Sequence, residues 1–153
     1  MTKQESTTLK PGDEMADGTI FGGHNADGTM CIYLMPLNLS VAMTFNEAAQ
    51  TVDQLNQLKS FGHSDWEIPN RDVLLILSKN QEMGALREIF SKVSGKDTNW
   101  QWSSEQLDGF PFTIRHGVNF FDLSELWTRA TNNNRLYLQP VRLEASHPHP
   151  KLK

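Results

Sequence analysis

The chain has a single cysteine, Cys31, among its 153 residues. One cysteine cannot form an intramolecular disulfide or a cysteine-rich zinc site, so neither of these can stabilise the fold. Because Cys31 lies within the apolar run MCIYL, we predict a small buried core side chain rather than a reactive thiol.

Long apolar runs and basic runs are missing as well. No stretch approaches the roughly 18 to 20 apolar residues that a membrane span needs, and the opening MTKQESTTLK lacks the apolar region of a signal peptide. We therefore expect a cytoplasmic protein. The 14 Lys and Arg residues are outnumbered by 18 Asp and Glu residues, which gives a net charge of −4. Since phosphate neutralisation dominates affinity for nucleic acid, no direct nucleic-acid binding is expected.

What is present is an average globular composition, 38% hydrophobic and 21% charged, over the length of one ordinary domain. We predict a flexible N-terminal lead over residues 1–10 and one domain over 11–144. The residues 145–153 alternate proline with polar residues, which predicts a disordered tail.

Two short apolar runs, Thr19–Gly23 and Met30–Met35, flank the turn-forming sequence HNADGT and predict a β-hairpin. Asn25 and Asp27 also match the middle of an EF-hand calcium loop. The first ligand position of such a loop would fall on Gly23, which brings no charge. We therefore predict a turn rather than a metal site.

From Thr44 onwards, apolar residues recur three and four positions apart, which predicts a helix. The sequence TFNE is a capping box, in which Thr44 and Glu47 satisfy each other's backbone N–H groups. This helix is expected to end near Gly62.

A second helix is predicted to begin at about Arg71, with Asn70 as its N-cap after the extended Ile68–Pro69 pair. A third is predicted over Met83–Val93. The last third of the chain contains short aromatic and β-branched runs separated by Gly, Asp and Asn, which predict antiparallel strands. With the N-terminal hairpin joining that sheet, the class is α+β.

Five segments carry a resemblance to a known family. In order, they are GDEMADGTIFGG, MTFNEAAQTVDQLNQLKSFGHSDWEIPNRDVLLIL, WQWSSE, RHGVNFF and RLYLQPVR. Together they resemble the C-terminal domain family of the Legionella collagen-like protein, over about Pro11 to Leu143. That family is grouped with C-type-lectin-like folds, and the end of the chain is similar to the variable proteins of diversity-generating retroelements. The resemblance implies a single C-type-lectin-like domain with two to three helices and an antiparallel sheet with long loops.

The resemblance also implies which residues hold the fold and which face a ligand. The scaffold residues would be Trp66, Pro69, Trp102, Ser103, Ser104 and Arg142. The segment LWTRATNNNR would be a ligand-facing loop, and EQLDGFPF offers a second loop. The candidate partner-binding residues are Asp108, Phe110, Trp127, Arg129, Asn132, Asn133, Asn134 and Arg135. Trp and Arg side chains often contribute most of the binding energy at protein interfaces, and Asn adds adaptable hydrogen bonds. The plainer alternative is a polar hairpin loop with Trp127 packed onto the sheet.

Catalysis is the competing class of function. Ser103, His116 and Asp122 could form a serine–histidine–aspartate set, but no nucleophile-elbow sequence flanks any serine. The distantly similar formylglycine-generating enzymes use a pair of cysteines, which this chain lacks. Calcium-dependent sugar binding needs polar ligands on both sides of a proline, and neither Pro69 nor Pro140 has them. We expect no catalytic residue, no cofactor and no metal.

The remaining reading is a non-catalytic macromolecule-binding protein. In the first hypothesis it is a small cytoplasmic regulator or inhibitor, encoded by a phage or another mobile element, that binds and occludes a host protein complex. In the second it is a ligand-binding or adhesion module of a phage or bacterial surface assembly that recognises a glycan or a surface protein. The sequence leaves the oligomeric state open.

Overall fold

The described part of the chain contains three helices and six strands. A computed structural model describes residues 9–36, 41–91, 100–107, 114–129 and 134–146. The strands are β1 (Ile20–His24), β2 (Met30–Leu34), β3 (Trp100–Leu107), β4 (Ile114–Asn119), β5 (Glu125–Arg129) and β6 (Val141–Ala145). The helices are α1 (Phe45–Gln57), α2 (Arg71–Lys79) and α3 (Leu86–Ser91). This content confirms the α+β class.

The hairpin predicted from its turn sequence is present. β1 and β2 pair antiparallel, and hydrogen bonds within the turn close it. The Asp27 carboxylate accepts from the backbone N–H of Thr29 at 3.0 Å and from its hydroxyl at 2.6 Å. The side-chain oxygen of Asn25 accepts from the N–H of Met30 at 3.0 Å. Gly28 adopts a φ of 76°, which favours glycine.

The C-terminal strands do not form the single sheet that was predicted, and the hairpin joins only the last of them. It pairs with β6 in the order β1-β2-β6, while β3-β4-β5 form a second antiparallel sheet. The physical reason lies just before β6. The N–H of Tyr137 donates to the C=O of Trp100 at 2.8 Å, and the N–H of Trp102 donates to the C=O of Tyr137 at 2.9 Å. The chain therefore first hydrogen-bonds to β3 of the second sheet, at Tyr137, and then continues into β6 of the first sheet.

Helix α1 begins with the predicted capping box. The Thr44 hydroxyl oxygen accepts from the N–H of Glu47 at 3.2 Å, and the Glu47 carboxylate accepts from the N–H of Thr44 at 2.9 Å. The helix ends at Gln57, earlier than the predicted end near Gly62. Lys59 adopts a left-handed φ of 50°, which stops the helix and starts a separate 3₁₀ turn.

Trp66 is buried where the chain passes from the 3₁₀ turn to α2. Its indole N–H donates to the C=O of Ser60 at 2.9 Å, and its backbone N–H donates to Asn56 Oδ1 at 2.7 Å. α2 begins at the predicted residue, because Asn70 Oδ1 accepts from the N–H of Val73 at 2.8 Å. The Trp-to-Pro stretch therefore fixes the entry of α2 into the core.

Helix α3 is shorter than the predicted Met83–Val93. Gly84 has a φ of 48° and packs against Gly12, where an added Cβ would lie 2.9 Å from the Gly12 oxygen. The N–H of Ala85 donates to that same oxygen at 3.0 Å. This long-range contact takes the first residues out of the helix, so α3 begins at Leu86. The last two predicted positions lie outside the described residues.

Two apolar clusters form the core. In the first, α2 and α3 cover the hairpin, with Leu34 and Leu74 each fully buried. In the second, α1 covers one face of the β3-β4-β5 sheet, and the ring centroids of Phe45 and Trp102 lie 5.4 Å apart. Each buried side chain of this size contributes about 1.5 to 3 kcal/mol. The opposite face of that sheet contributes Val118 to the first cluster.

The two ends of the chain are outside this description. The predicted lead and tail are described only at residues 9–10 and 145–146. None of the helices found in the described ranges is long and apolar enough to cross a bilayer.

Candidate binding surface

Successive side chains of strand β5 point to opposite faces of its sheet, because side chains alternate along a strand. Leu126 and Thr128 point toward the core, whereas Glu125, Trp127 and Arg129 are exposed. The segment LWTRATNNNR, predicted to be a loop, therefore begins as an edge strand.

A polar network lies beneath Trp127 and consists of Ser103, His116, Glu125 and Arg71. Ser103 Oγ lies 2.7 Å from His116 Nδ1, and His116 Nε2 lies 2.6 Å from Glu125 Oε1. Arg71 holds the same carboxylate with two hydrogen bonds, from Nε at 2.9 Å and from Nη2 at 2.8 Å. The network ties the first residue of α2 to all three strands of the sheet.

The chemistry of the partners assigns the protons in this network. Glu125 can only accept, so His116 Nε2 carries a proton and donates to it, and in the tautomer with its proton on Nε2 alone Nδ1 accepts from the Ser103 hydroxyl. Ser103 Oγ in turn accepts from the backbone N–H of Glu105 at 3.1 Å. Hydrogen bonds from Arg71 and then His116 lower the pKa of Glu125 to about 2. The carboxylate is therefore ionised at neutral pH.

The network contains a serine, a histidine and a carboxylate, but a substrate cannot reach its hydroxyl. Ser103 and His116 are each 0% exposed. The carboxylate is that of Glu125, whereas Asp122 hydrogen-bonds to Ser124 in the turn between β4 and β5. The sequence thus paired the serine with the correct histidine but chose the wrong acid, and the geometry is that of a buried support.

Trp127 lies over His116, with ring centroids 4.5 Å apart, and remains 46% exposed. Toward the end of the sheet, Leu107, Ile114 and Arg129 are cross-strand neighbours on the same face. Leu107 is itself 42% exposed. We refer to Leu107, Ile114, Trp127 and Arg129 as the β5 face. An exposed indole beside a guanidinium and aliphatic side chains is typical of protein-binding hot spots.

Asn134 and Arg135 lie on the other side of the sheet. Asn134 Nδ2 donates to Thr128 Oγ1 at 2.6 Å, and Thr128 faces the core. Arg135 Nη1 donates to Glu47 Oε1 on α1 at 3.0 Å. Here α1, residues 41–43 and Arg135 line a groove of about 320 Å³. The predicted binding residues are therefore divided between two sides of the molecule.

The other predicted binding residues, Asp108, Phe110, Asn132 and Asn133, lie outside the described residues. They belong to two segments that follow Leu107 and Arg129 directly in the chain. Both of these preceding residues are part of the β5 face.

The residues that the resemblance assigned to the scaffold differ in burial. The buried ones are Trp66, Pro69, Trp102, Ser103 and Arg142. Arg142 binds Asp65 through Nε at 2.8 Å and Nη2 at 3.3 Å. Ser104 is exposed, and its contribution is a backbone one, since its N–H donates to the C=O of Pro69 at 2.9 Å.

Two other kinds of site were considered from the sequence, a metal site and a reactive thiol at Cys31. No group of three or more His, Cys, Asp or Glu side chains within the described ranges is placed to hold a metal ion. Cys31 is buried in β2, as its apolar run predicted, and its Sγ lies 3.5 Å from Ser146 Oγ.

Sequence reasoning missed four residues that build this surface. Leu107 and Ile114 were not singled out. The alternation of polar and apolar residues in ELWTR indicates a strand, and such a strand needs neighbouring strands like those that contain Leu107 and Ile114. Glu125 and Arg71 carried no local signal of their pairing.

No protein-family model matches the chain, and no curated protein matches it either. The resemblance to the Legionella family therefore stays a prediction, and the contacts at the β5 face carry the functional proposal.

Proposed function

We propose that the protein acts without catalysis, by binding another protein through the β5 face. The observation that carries this proposal is Trp127, which is 46% exposed while its ring packs on the buried His116. A preorganised aromatic side chain loses little conformational entropy when a partner covers it. Arg129 adds a charged donor that suits a carboxylate on the partner.

The polar network supports binding because it makes this face rigid. Arg71 and His116 hold Glu125 at the first position of β5, so the strand cannot move without breaking three hydrogen bonds to one carboxylate. Buried polar groups that are fully hydrogen-bonded favour one arrangement over its alternatives. The burial of the Ser103 hydroxyl also favours binding over catalysis, because the serine that a catalytic set would use as its nucleophile is instead hydrogen-bonded within the network.

We further propose that the protein is a small cytoplasmic regulator or inhibitor that occludes part of its partner. Occlusion needs one preformed surface and no moving element, which a network-backed strand provides. Direct nucleic-acid binding has less support, because Arg71 and Arg135 are each engaged by a carboxylate and add little to a basic patch.

An adhesion module that binds a glycan is the second candidate. The observation in its favour is also Trp127, because an exposed indole offers both an apolar face and an N–H donor. The two candidates differ in where the ligand is found, in the cytosol or on the cell envelope.

The test compares wild type with Trp127→Ala and Leu58→Ala in capture experiments from bacterial lysate and envelope fractions. Leu58 is 77% exposed at the C-terminal cap of α1, so it is a matched loss of an exposed apolar side chain away from the β5 face. With the captured protein purified, we expect Trp127→Ala to raise the dissociation constant at least about tenfold and Leu58→Ala to leave it unchanged.

Equal affinity of wild type and Trp127→Ala, with both folded, would contradict the assignment of the β5 face. Loss of binding in Arg135→Ala but not in Trp127→Ala would move the surface to the groove beside α1. Recovery of ligand from the envelope fraction alone, together with binding to isolated glycans, would favour the adhesion module.

A further inference from the structure

Within the described ranges, β5 is the last strand of its sheet, in the order β3-β4-β5. The N–H of Asn119 donates to the C=O of Ser124 at 2.8 Å, which makes these two residues a hydrogen-bonded pair next to the β4–β5 register. Hydrogen-bonded and non-hydrogen-bonded pairs alternate along an antiparallel ladder. Leu126 therefore directs its backbone groups at β4, whereas Trp127 directs its N–H and C=O toward the outer edge.

The sequence of β5, Glu-Leu-Trp-Thr-Arg, is complementary to itself in the antiparallel direction. With Trp127 opposite Trp127 of a second copy, Glu125 of each strand lies opposite Arg129 of the other. These three residues share one face and point their backbone groups to the outer edge. Each facing pair can then exchange both of its N–H···O=C bonds, and opposite charges on facing residues stabilise the pairing.

The carboxylate of Glu125 has room for this additional cation. Its Oε1 accepts from Arg71 Nε and His116 Nε2, whereas among the described residues its Oε2 accepts from Arg71 Nη2 alone. A carboxylate oxygen has two acceptor positions, so Oε2 can accept a further hydrogen bond. A second guanidinium can bind there without disturbing the polar network.

We propose that two copies of the chain associate through β5, antiparallel about a two-fold axis at Trp127, so that their sheets form one six-stranded sheet. The occupant of the edge is a second copy because this chain itself supplies the Arg and Glu at the spacing that complements β5. A two-fold contact of one strand with itself also closes, so it ends at a dimer. The inference goes beyond the proposed function, and it places two β5 faces side by side.

The first experiment is sedimentation equilibrium of the purified protein alone, from about 1 µM to about 1 mM. We expect a reversible shift toward twice the monomer mass of 17.4 kDa. Trp127→Pro and Trp127→Ala form a matched pair, because both lose the indole but only proline loses the outward N–H. We expect a dissociation constant at least about tenfold higher for Trp127→Pro than for Trp127→Ala.

A second pair of variants tests the charges and covers the case in which Trp127→Pro fails to fold. Arg129→Glu places like charges opposite Glu125 and is expected to dissociate the dimer, whereas Arg129→Lys is expected to retain it. A wild type that remains monomeric across the concentration range overturns the proposal, and so does a dimer that survives both Trp127→Pro and Arg129→Glu. These measurements contain no other protein, so their failure is separate from failure of the proposed function.

Discussion

Replacement of Ser103 by alanine is expected to lower the free energy of unfolding by about 1.5 to 4 kcal/mol. The hydroxyl donates to His116 Nδ1 across 2.7 Å in a fully buried setting. Its removal leaves a buried nitrogen without a donor, which costs about 1 to 3 kcal/mol. The hydrogen bond from the Glu105 N–H is lost as well, but Glu105 is partly exposed, and water can replace that acceptor at a cost of about 0.5 to 1 kcal/mol.

The neighbouring serine provides the control for this prediction. Ser104 is exposed, so Ser104→Ala is expected to change stability by no more than about 0.5 kcal/mol. In urea unfolding, the midpoint of Ser103→Ala should fall by about 1 M with an unchanged slope, while that of Ser104→Ala should remain at the wild-type value. Equal midpoints for the two variants would refute the assignment of Ser103 as a buried support. Partner binding should survive in Ser103→Ala, whereas an enzyme that used this hydroxyl would lose its activity.

Two further predictions concern the scaffold and the dependence on pH. Trp66→Ala is expected to cost about 3 to 5 kcal/mol and to lower Tm by about 8 to 16 °C, with Trp66→Phe losing mainly the hydrogen bond to Ser60; an unchanged Tm in Trp66→Ala would place Trp66 outside the core. Hydrogen bonds from Arg71 and His116 lower the pKa of Glu125 from 4.5 to about 2. Burial raises the pKa of Asp17, but hydrogen bonds from Thr19 and His63 outweigh it and bring the pKa to about 2 from 3.8. Both folded values lie below the unfolded ones, so this stability is present above about pH 4.5 and is lost as the pH falls toward 2. Asp17→Asn should flatten part of that slope, and a constant free energy of unfolding between pH 5 and 2 would contradict the assignment.

The features that could be predicted from the sequence have their determinants within about five residues of each other. The capping box of α1 needs only Thr44 and Glu47, and the start of α2 needs Asn70 and the N–H of Val73. The hairpin turn closes through side chains inside its own loop. Periodicity then separated helices from strands, which is sufficient for the α+β class.

The polar network depends on the register of strands, which local patterns do not contain. Arg71 and Glu125 are separated by 54 positions along the chain. Asp122 is as acidic as Glu125 and is close to His116 in sequence, but the turn after β4 directs it to Ser124. Only the pairing of β4 with β5 places Glu125 on the same face as the histidine.

Contacts between distant segments also account for the shortened α3 and for the division of the sheet. Gly84 and Gly12 pack backbone against backbone, which overrides the helical pattern around Met83. The aromatic run near Tyr137 pairs with β3 before the chain reaches β6. In both cases a tertiary contact outweighs a correct local tendency.

The sheet β1-β2-β6 combines the beginning of the described chain with its end. Val141 is fully buried, faces Leu34 in the register of β2 and β6, and exchanges backbone hydrogen bonds of 2.8 and 3.0 Å with Glu67. During synthesis the hairpin and α2 leave the ribosome before β6, and the edge of β2 that pairs with β6 stays unpaired until β6 arrives. Pairings between such distant segments also form slowly. The fold is therefore expected to be completed only after β6 has been synthesised and has paired with β2.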